Sequence, residues 1–231
     1  MDAPKKLTPH FQDELSHLKE RLLVMAGTAE EQVRASVQSL VDRDRSLAEC
    51  VLVRDEPINQ LHIEIDELCF QLLALHQPMA TDLREVVSGV KINSDLERVG
   101  DFAINIAEAS LRYLEHPAVK PLIDIPRMAE IAQGMLRDSL DAYVRQDTTR
   151  AQDVLDRDDS VDRLKDQVFR DLIGCMCTDS MITQPAMELM LISRHLERIA
   201  DHATNIAEEA IFIVSGLDVR HHSREGGTPS I

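Results

Sequence analysis

An internal repeat is the feature that most constrains how this chain of 231 residues can fold. Residues 96–108 read LERVGDFAINIAE and residues 196–208 read LERIADHATNIAE, so nine of the thirteen positions are identical at an offset of 100 residues. A weaker match sets Val53-Arg54-Asp55 against Asp156-Arg157-Asp158 at an offset of 103 residues. Repetition of this length indicates an internal duplication, so we expect two similar structural units.

Apolar residues recur every three or four positions along most of the chain, which is the periodicity of helices that bury one face. The segment His116–Pro126 holds three prolines, which cannot all lie inside one helix, and is predicted to connect the two units. Short loops predict three antiparallel helices in each unit. The periodic segments are approximately residues 11–40, 47–75, 82–114, 127–146, 149–177 and 185–215.

These observations predict an all-α fold of two tandem three-helix bundles related by internal duplication. The first bundle is expected over residues 1–116 and the second over residues 117–216. Residues 217–231 lack apolar periodicity and are predicted to form a disordered tail.

The formal charge of −16 and the pI near 4.9 restrict the partners of the chain. Nucleic acids and anionic membrane surfaces attract Lys and Arg, so both are excluded as expected partners, whereas cations and basic proteins are favoured. No apolar run reaches the ~20 residues that span a bilayer. The N-terminal sequence MDAPKKLTPHF lacks the apolar segment of a signal peptide, so the protein is expected in the cytoplasm without membrane insertion.

The four cysteines do not form a zinc motif. Only Cys175 and Cys177 are close together, and no second pair matches them, whereas structural zinc sites usually show two spaced pairs. Cys50 and Cys69 lie far apart in the first half. All four are therefore interpreted as reduced thiols of a cytoplasmic helical protein.

The repeated segment places acidic and amide side chains on one side of a helix, opposite an apolar stripe. Carboxylates spaced by four residues repel one another, so their presence in both copies suggests a bound cation. Hard cations such as Mg²⁺, Mn²⁺ or iron prefer such oxygen ligands. The alternative is a solvated acidic face, partly neutralised by Arg98 and Arg198. The candidate ligands are Glu97, Asp101, Glu197 and Asp201, followed by Asn105, Glu108, Asn205 and Glu208.

Three further polar positions have structural interpretations. Asp95 and His195 are equivalent and lie on the apolar side of the helix, so a hydrogen-bonded group in or beside the bundle is preferred over an interhelical ligand or partner. His202 replaces Phe102 and is interpreted as a packed histidine.

A di-iron bundle core needs two E-x-x-H motifs and two further Glu residues, and the sequence offers one such motif, at 14–17. No nucleophile motif and no Gly-rich phosphate loop is present.

The segments DLERVGDFAINIAE and HLERIADHATNIAE resemble the duplicated motif of the PhoU family of phosphate-signalling proteins, and PMATDLREVVSGVKI fits the upstream part of the first copy. The resemblance implies two three-helix bundles related by pseudo-two-fold symmetry, and multinuclear metal clusters, often of iron, in some members. Its E-x-x-x-D motifs fall on Glu97, Asp101, Glu197 and Asp201.

The resemblance further implies a non-enzymatic adaptor, often a homodimer. Such a protein would couple the ATPase of a phosphate ABC transporter to a membrane sensor histidine kinase, acting as a negative regulator of phosphate uptake and of the phosphate-starvation response. Direct binding of free phosphate to an acidic strip is disfavoured unless a metal lies between them.

The two halves differ in detail, and other functions stay open. At the offset of 100 residues, Ile182 aligns with Asp82, Gln184 with Arg84 and Ala200 with Gly100. We therefore expect the two metal sites to differ. The alternatives are a metal-dependent enzyme of the carboxylate-bridged helical-bundle class, a helical scaffold that binds no metal, and an accessory protein of another phosphate carrier.

Overall fold

The computed structural model describes residues 9–53 and 56–217 and contains only helices and connections within those ranges. The predicted disordered tail lies outside the described residues, apart from Leu217. A 3₁₀ turn at Ser180–Ile182 precedes the last helix. The helices are α1 (Pro9–Val41), α2 (Arg45–Leu52), α3 (Glu56–His76), α4 (Thr81–Leu114), α5 (Asp124–Arg145), α6 (Thr148–Thr178) and α7 (Thr183–Ser215).

The turn after the first helix is built in the same way in both repeats. Arg43 and Gln146 take left-handed backbone conformations, with φ of 55° and 54°, and end helices α1 and α5. The side chains of Asp44 and Asp147 then cap the following helices, accepting hydrogen bonds from Leu47 N and from Thr149 N and Arg150 N. Because the positions match at an offset of 103 residues, the duplication extends to the turns.

The second periodic segment of the first half, predicted as one helix, is divided into α2 and α3. Pro57 lies in the first turn of α3, where its lack of an N–H is tolerated. A continuous helix would place this proline ring against the carbonyl of Val53. Ser160 occupies the equivalent position in the second half, and α6 runs unbroken through it.

The connection between the halves is shorter than predicted. It spans residues 115–123 and contains Pro117 and Pro121, whereas Pro126 is the third residue of α5. Proline is accepted in the first turn of a helix, so the predicted connection His116–Pro126 began one residue too late and ended three residues too late.

Each repeat is a three-helix bundle whose successive helices run antiparallel, which makes its first and third helices parallel. The first repeat comprises α1 to α4, with α2 and α3 acting as one interrupted helix, and the second comprises α5 to α7. Helices α4 and α7, which carry the repeated motif, cross antiparallel in the most extensive contact between the repeats, and α1 also packs on α5. The apolar sides of all these helices form one continuous core. The predicted all-α architecture of two tandem bundles is therefore confirmed.

The predicted apolar stripe of the motif is buried in both copies. Leu96 and Ile106 on α4 are fully buried, as are Leu196 and Ile206 on α7. The four cysteines are free, and burial raises the pKa of the Cys69 thiol to about 12, which makes it unreactive. Within the described ranges, no helix is long and apolar enough to cross a membrane.

Candidate carboxylate site

The first-repeat strip comprises Glu97, Asp101, Asn105 and Glu108 on α4, and most of it is only partly exposed. Arg98 extends beside it, with its Nε 3.8 Å from Glu97 Oε2 and its Nη1 3.6 Å from Asp101 Oδ2. These distances describe weak, solvent-screened ion pairs on a single helix. The partial neutralisation by arginine that the sequence suggested is therefore present.

The second-repeat strip lies on α7 and is joined by a cation from another helix. Arg198 again contacts its own strip, with its Nη1 3.2 Å from Asp201 Oδ2. On α6, Lys165 Nζ donates to Glu197 Oε1 at 3.3 Å and to Asp162 Oδ1 at 2.9 Å. Burial lowers the pKa of Lys165, but its bonds to these two carboxylates outweigh that effect and raise the pKa overall.

Two carboxylates that sequence reasoning missed, Asp158 and Asp162, complete this second-repeat cluster. Burial, together with the charges of Asp201 and Asp162, raises the pKa of Asp158 to about 6. Burial and the charge of Glu197 likewise raise the pKa of Asp201. The sequence held a signal for Asp158, because Arg157-Asp158 repeats Arg54-Asp55 at an offset of 103 residues. The first-repeat counterpart, Asp55, lies outside the described residues.

The four secondary candidates have different surroundings. Glu108 is exposed, and its Oε2 lies 3.9 Å from Arg112 Nη1 on the next turn. Asn105 and Glu208 are partly buried. The amide nitrogen of Asn205 donates to Asp95 Oδ1 at 3.2 Å, across the contact between α4 and α7. Asn205 therefore joins the two repeats through its nitrogen, and its oxygen stays available as a ligand.

The crossing of α4 and α7 contains a polar and aromatic cluster. His202 Nδ1 and Asp95 Oδ1 are 2.7 Å apart. The ring of Phe102 lies between His195 and His202, with centroid distances of 5.7 Å and 5.6 Å. Burial, followed by the charges of nearby arginines, lowers the pKa of His195, which favours its neutral form. Asp95 is hydrogen-bonded, as the preferred interpretation predicted, but its partners His202 and Asn205 lie on α7, so it is also an interhelical partner. His202 is largely buried, which agrees with its interpretation as a packed histidine.

The E-x-x-H motif does not bring its two residues together. Glu14 instead lies between His10 and His76, with Oε1 3.1 Å from His10 Nε2 and Oε2 2.7 Å from His76 Nε2. His17 faces Glu20 at 3.7 Å. This arrangement links the start of α1 to the end of α3 and gives no support to a di-iron core.

The second-repeat cluster has the donor chemistry that a hard cation requires. Its carboxylate oxygens are preferred ligands of such ions, and a cation would relieve the repulsion between Asp158 and Asp201. Among residues 9–53 and 56–217, however, no three His, Cys, Asp or Glu side chains are grouped so that they could hold a metal ion as they stand. Binding at this cluster would require side chains to rearrange and Lys165 to release its partners.

Comparison with known proteins identifies the family. The PhoU domain model matches residues 22–110 and again residues 125–210. The chain belongs to the PhoU family. The two matched ranges correspond to the two bundles, as the internal duplication predicted.

Members of the PhoU family resemble the chain over most of its length. The phosphate-specific transport system accessory protein PhoU homolog of Caulobacter vibrioides (strain NA1000 / CB15N) is 41% identical, over 90% of this chain and 91% of its own length. The homolog with the same name from Aquifex aeolicus (strain VF5) is 40% identical, over 93% of this chain and 97% of its own. The crystal structure of PhoU from Pseudomonas aeruginosa superposes with a TM-score of 0.86 at 36% identity, covering 90% of this chain and all of that one.

Proposed function

We propose that this protein is a regulator of phosphate transport that restrains phosphate uptake and holds the phosphate-starvation response off when phosphate is plentiful. The observation that carries the proposal is the presence of two PhoU domains in relatives named as accessory proteins of the phosphate-specific transport system, at up to 41% identity over 90% of the chain. The protein acts as an adaptor that binds the ATPase subunit of a phosphate ABC transporter and a sensor histidine kinase. It performs no catalytic step.

The regulatory role is tested in a bacterium from which its own PhoU-family protein has been deleted. The strain carries a reporter driven by a phosphate-starvation promoter and is grown in abundant phosphate. Expression of this chain is expected to restore repression of the reporter and to lower the rate of labelled phosphate uptake. A reporter that stays fully induced, with the protein present at normal abundance, would contradict the proposal.

The metal-binding part of the proposal assigns a hard divalent cation, iron, manganese or magnesium, to the carboxylate strips as a modulatory element. Glu197 and Asp201 would hold it together with Asp158 and Asp162, and Glu97 and Asp101 would supply the second, weaker site. The ion would add positive charge to a strongly acidic face. Its effect on regulation would therefore be electrostatic.

Elemental analysis tests the metal assignment on protein purified without chelator or histidine tag. The comparison is a variant in which Glu97, Asp101, Glu197 and Asp201 are all changed to Ala. Stoichiometric metal in the parent, lost in a variant with an unchanged circular dichroism spectrum, is the expected result. If neither the parent nor the variant retains metal after incubation with each cation, the metal assignment is wrong and the strips are solvated faces. Sedimentation velocity on the same samples tests the expected homodimer.

A further inference from the structure

Helix α3 exposes an apolar stripe. Ile63 is 59% exposed and Phe70 is 62% exposed, although most large apolar residues of the protein are buried. Ala74 is also exposed. Residues spaced by seven and by four lie on one side of a helix, so these three side chains form a row about 17 Å long, in which the exposed Glu67 lies between Ile63 and Phe70. A row of this length matches roughly three turns of a partner helix.

The row is surrounded by negative charge. Helix α3 contains no Lys or Arg, and Glu56 and Glu67 are exposed on the same side as Phe70. Glu64, which faces α1, is paired with Arg21 at 2.7 Å, so the arginine contributed by α1 is held away from the row. The surface therefore combines apolar contact area with uncompensated carboxylates.

The equivalent surface of the second repeat lacks this combination. At an offset of 103 residues, Ile173 replaces Phe70, but Asp166 replaces Ile63 and Arg170 replaces Glu67. This side of the second repeat therefore has one apolar residue fewer and gains a basic residue. The part of helix α6 that corresponds to α3 also carries three basic residues among its acids, namely Arg163, Lys165 and Arg170.

The end of α3 and the connection that follows it also expose apolar side chains. Leu75 is 72% exposed and Met79 is 77% exposed. Gln77 and Ala80, which flank Met79, both have positive φ, at 48° and 51°. A non-glycine residue in such a conformation costs of the order of 1–3 kcal/mol, and such residues concentrate at functional sites. The fold thus retains a strained connection that leaves Met79 in solvent.

We propose that this surface, the α3 row of Ile63, Phe70 and Ala74 together with Met79, binds a basic amphipathic helix of a partner protein. The apolar face of the partner packs on the row, and its flanking Lys and Arg residues pair with Glu56 and Glu67. A second copy of this chain fits less well, because two surfaces without a basic residue would face each other in a protein of charge −16. The inference rests on the proposed function in taking the partner to be the ATPase subunit of the phosphate transporter.

The test compares Phe70→Glu with Ile173→Glu, its matched control on α6, which replaces an apolar side chain that is 50% exposed. Binding of the purified ATPase subunit to the full chain is measured at low and high salt. We expect Phe70→Glu to weaken binding at least tenfold and Ile173→Glu to change it less than twofold, with parent affinity falling as salt increases. Unfolding midpoints should agree among the three proteins, since both positions are exposed.

Several outcomes would overturn the inference, and they separate it from the proposed function. Binding that survives Phe70→Glu rejects the surface and leaves the adaptor role intact. Absence of binding by the parent rejects the surface and the adaptor role together. Conversion of a dimer to a monomer by Phe70→Glu, with ATPase binding unchanged, assigns the surface to a second copy of the chain.

Discussion

The two repeats carry the same motif in different electrostatic surroundings. Glu97 and Asp101 of the first repeat lie beside Arg98 of their own helix. Glu197 and Asp201 of the second repeat lie against α6, which supplies Lys165 and two further carboxylates. The motif helix fixes where the carboxylates stand, and the neighbouring helix sets the charge around them. Duplicated sites can therefore differ without any change in the motif.

The grooves between the first two helices of each repeat differ in the same way. The first-repeat groove, about 490 Å³, is lined by apolar side chains that include Leu47 and Val51. In the second-repeat groove, about 660 Å³, Arg150 replaces Leu47 at the offset of 103 residues and lies 3.2 Å from Asp138. The same pair of helical segments thus forms an apolar surface in one copy and an ionic surface in the other.

The largest expected effect comes from removing the cation that distinguishes the second repeat. Lys165→Met keeps the aliphatic stem and leaves Asp162 and Glu197 without their ammonium partner. We expect a loss of about 2 kcal/mol in the free energy of unfolding at pH 7, because charge-assisted hydrogen bonds contribute about 1.5–3 kcal/mol. Urea denaturation measures it. The comparison is Arg98→Met, at an exposed position beside the first-repeat strip, which should cost less than about 0.5 kcal/mol. Equal losses for the two variants would contradict the electrostatic distinction between the repeats.

A second prediction concerns the pH dependence that the crowded cluster creates. The pKa of Asp158 in the folded protein, about 6, lies above the ordinary value of 3.8. Between these values the folded state binds more protons than the unfolded state, so this group makes stability fall as pH rises through that window. The full difference would amount to about 3 kcal/mol, and solvent screening of the half-buried carboxyl reduces it to about 1 kcal/mol.

Asp158→Asn should therefore stabilise the protein by about 1 kcal/mol at pH 7 and have little effect at pH 3.5. Thermal or urea unfolding followed from pH 3.5 to pH 7.5 checks both the sign and the window. Asp159→Asn, at the exposed neighbouring position, is the control. A stability gain that does not depend on pH would mean that Asp158 is unfavourable for another reason.

The contrast between the repeats also shows how far the sequence could predict the structure. The repeated motif identified its buried side and its acidic side, because a helix converts spacing along the chain directly into faces. Asp162 and Lys165 were missed because they reach the second strip through packing between helices, which spacing along one helix does not encode. The break at Pro57 was missed because the apolar periodicity continues through it.

A third prediction concerns packing around the motif, where two residues of the first repeat are replaced by the residue types found in the second. A Cβ added at Gly100 would lie 2.8 Å from Ile58 Cδ1, whereas the second repeat has Ala200 and the smaller Val161 at these positions. Gly100→Ala alone should cost about 1 kcal/mol, because overpacking outweighs the higher helix propensity of alanine. With Ile58→Val present, the clashing methyl group is absent and the same change should become neutral or stabilising.

A double-mutant cycle on the free energy of unfolding measures this effect. The expected coupling between Gly100→Ala and Ile58→Val is favourable by about 1 kcal/mol. Strict additivity of the two changes would show that Ile58 adjusts without cost, and that the glycine and the isoleucine were not selected as a pair.

The smallest expected effect concerns the equivalent turns after α1 and α5, which have the same backbone conformation. Arg43 and Gln146 both occupy the left-handed region, but Arg43 donates hydrogen bonds to the carbonyl oxygens of Leu114 and His116 at 3.2 Å and 2.6 Å. Gln146→Gly should raise the free energy of unfolding by about 0.5 kcal/mol, because glycine adopts positive φ without steric cost. Arg43→Gly gains the same relief and loses the bonds that hold the end of α4, so it should be neutral or destabilising. Opposite signs in urea denaturation would show that equivalent turns have acquired different structural roles, and equal gains would show that the Arg43 contacts add nothing to stability.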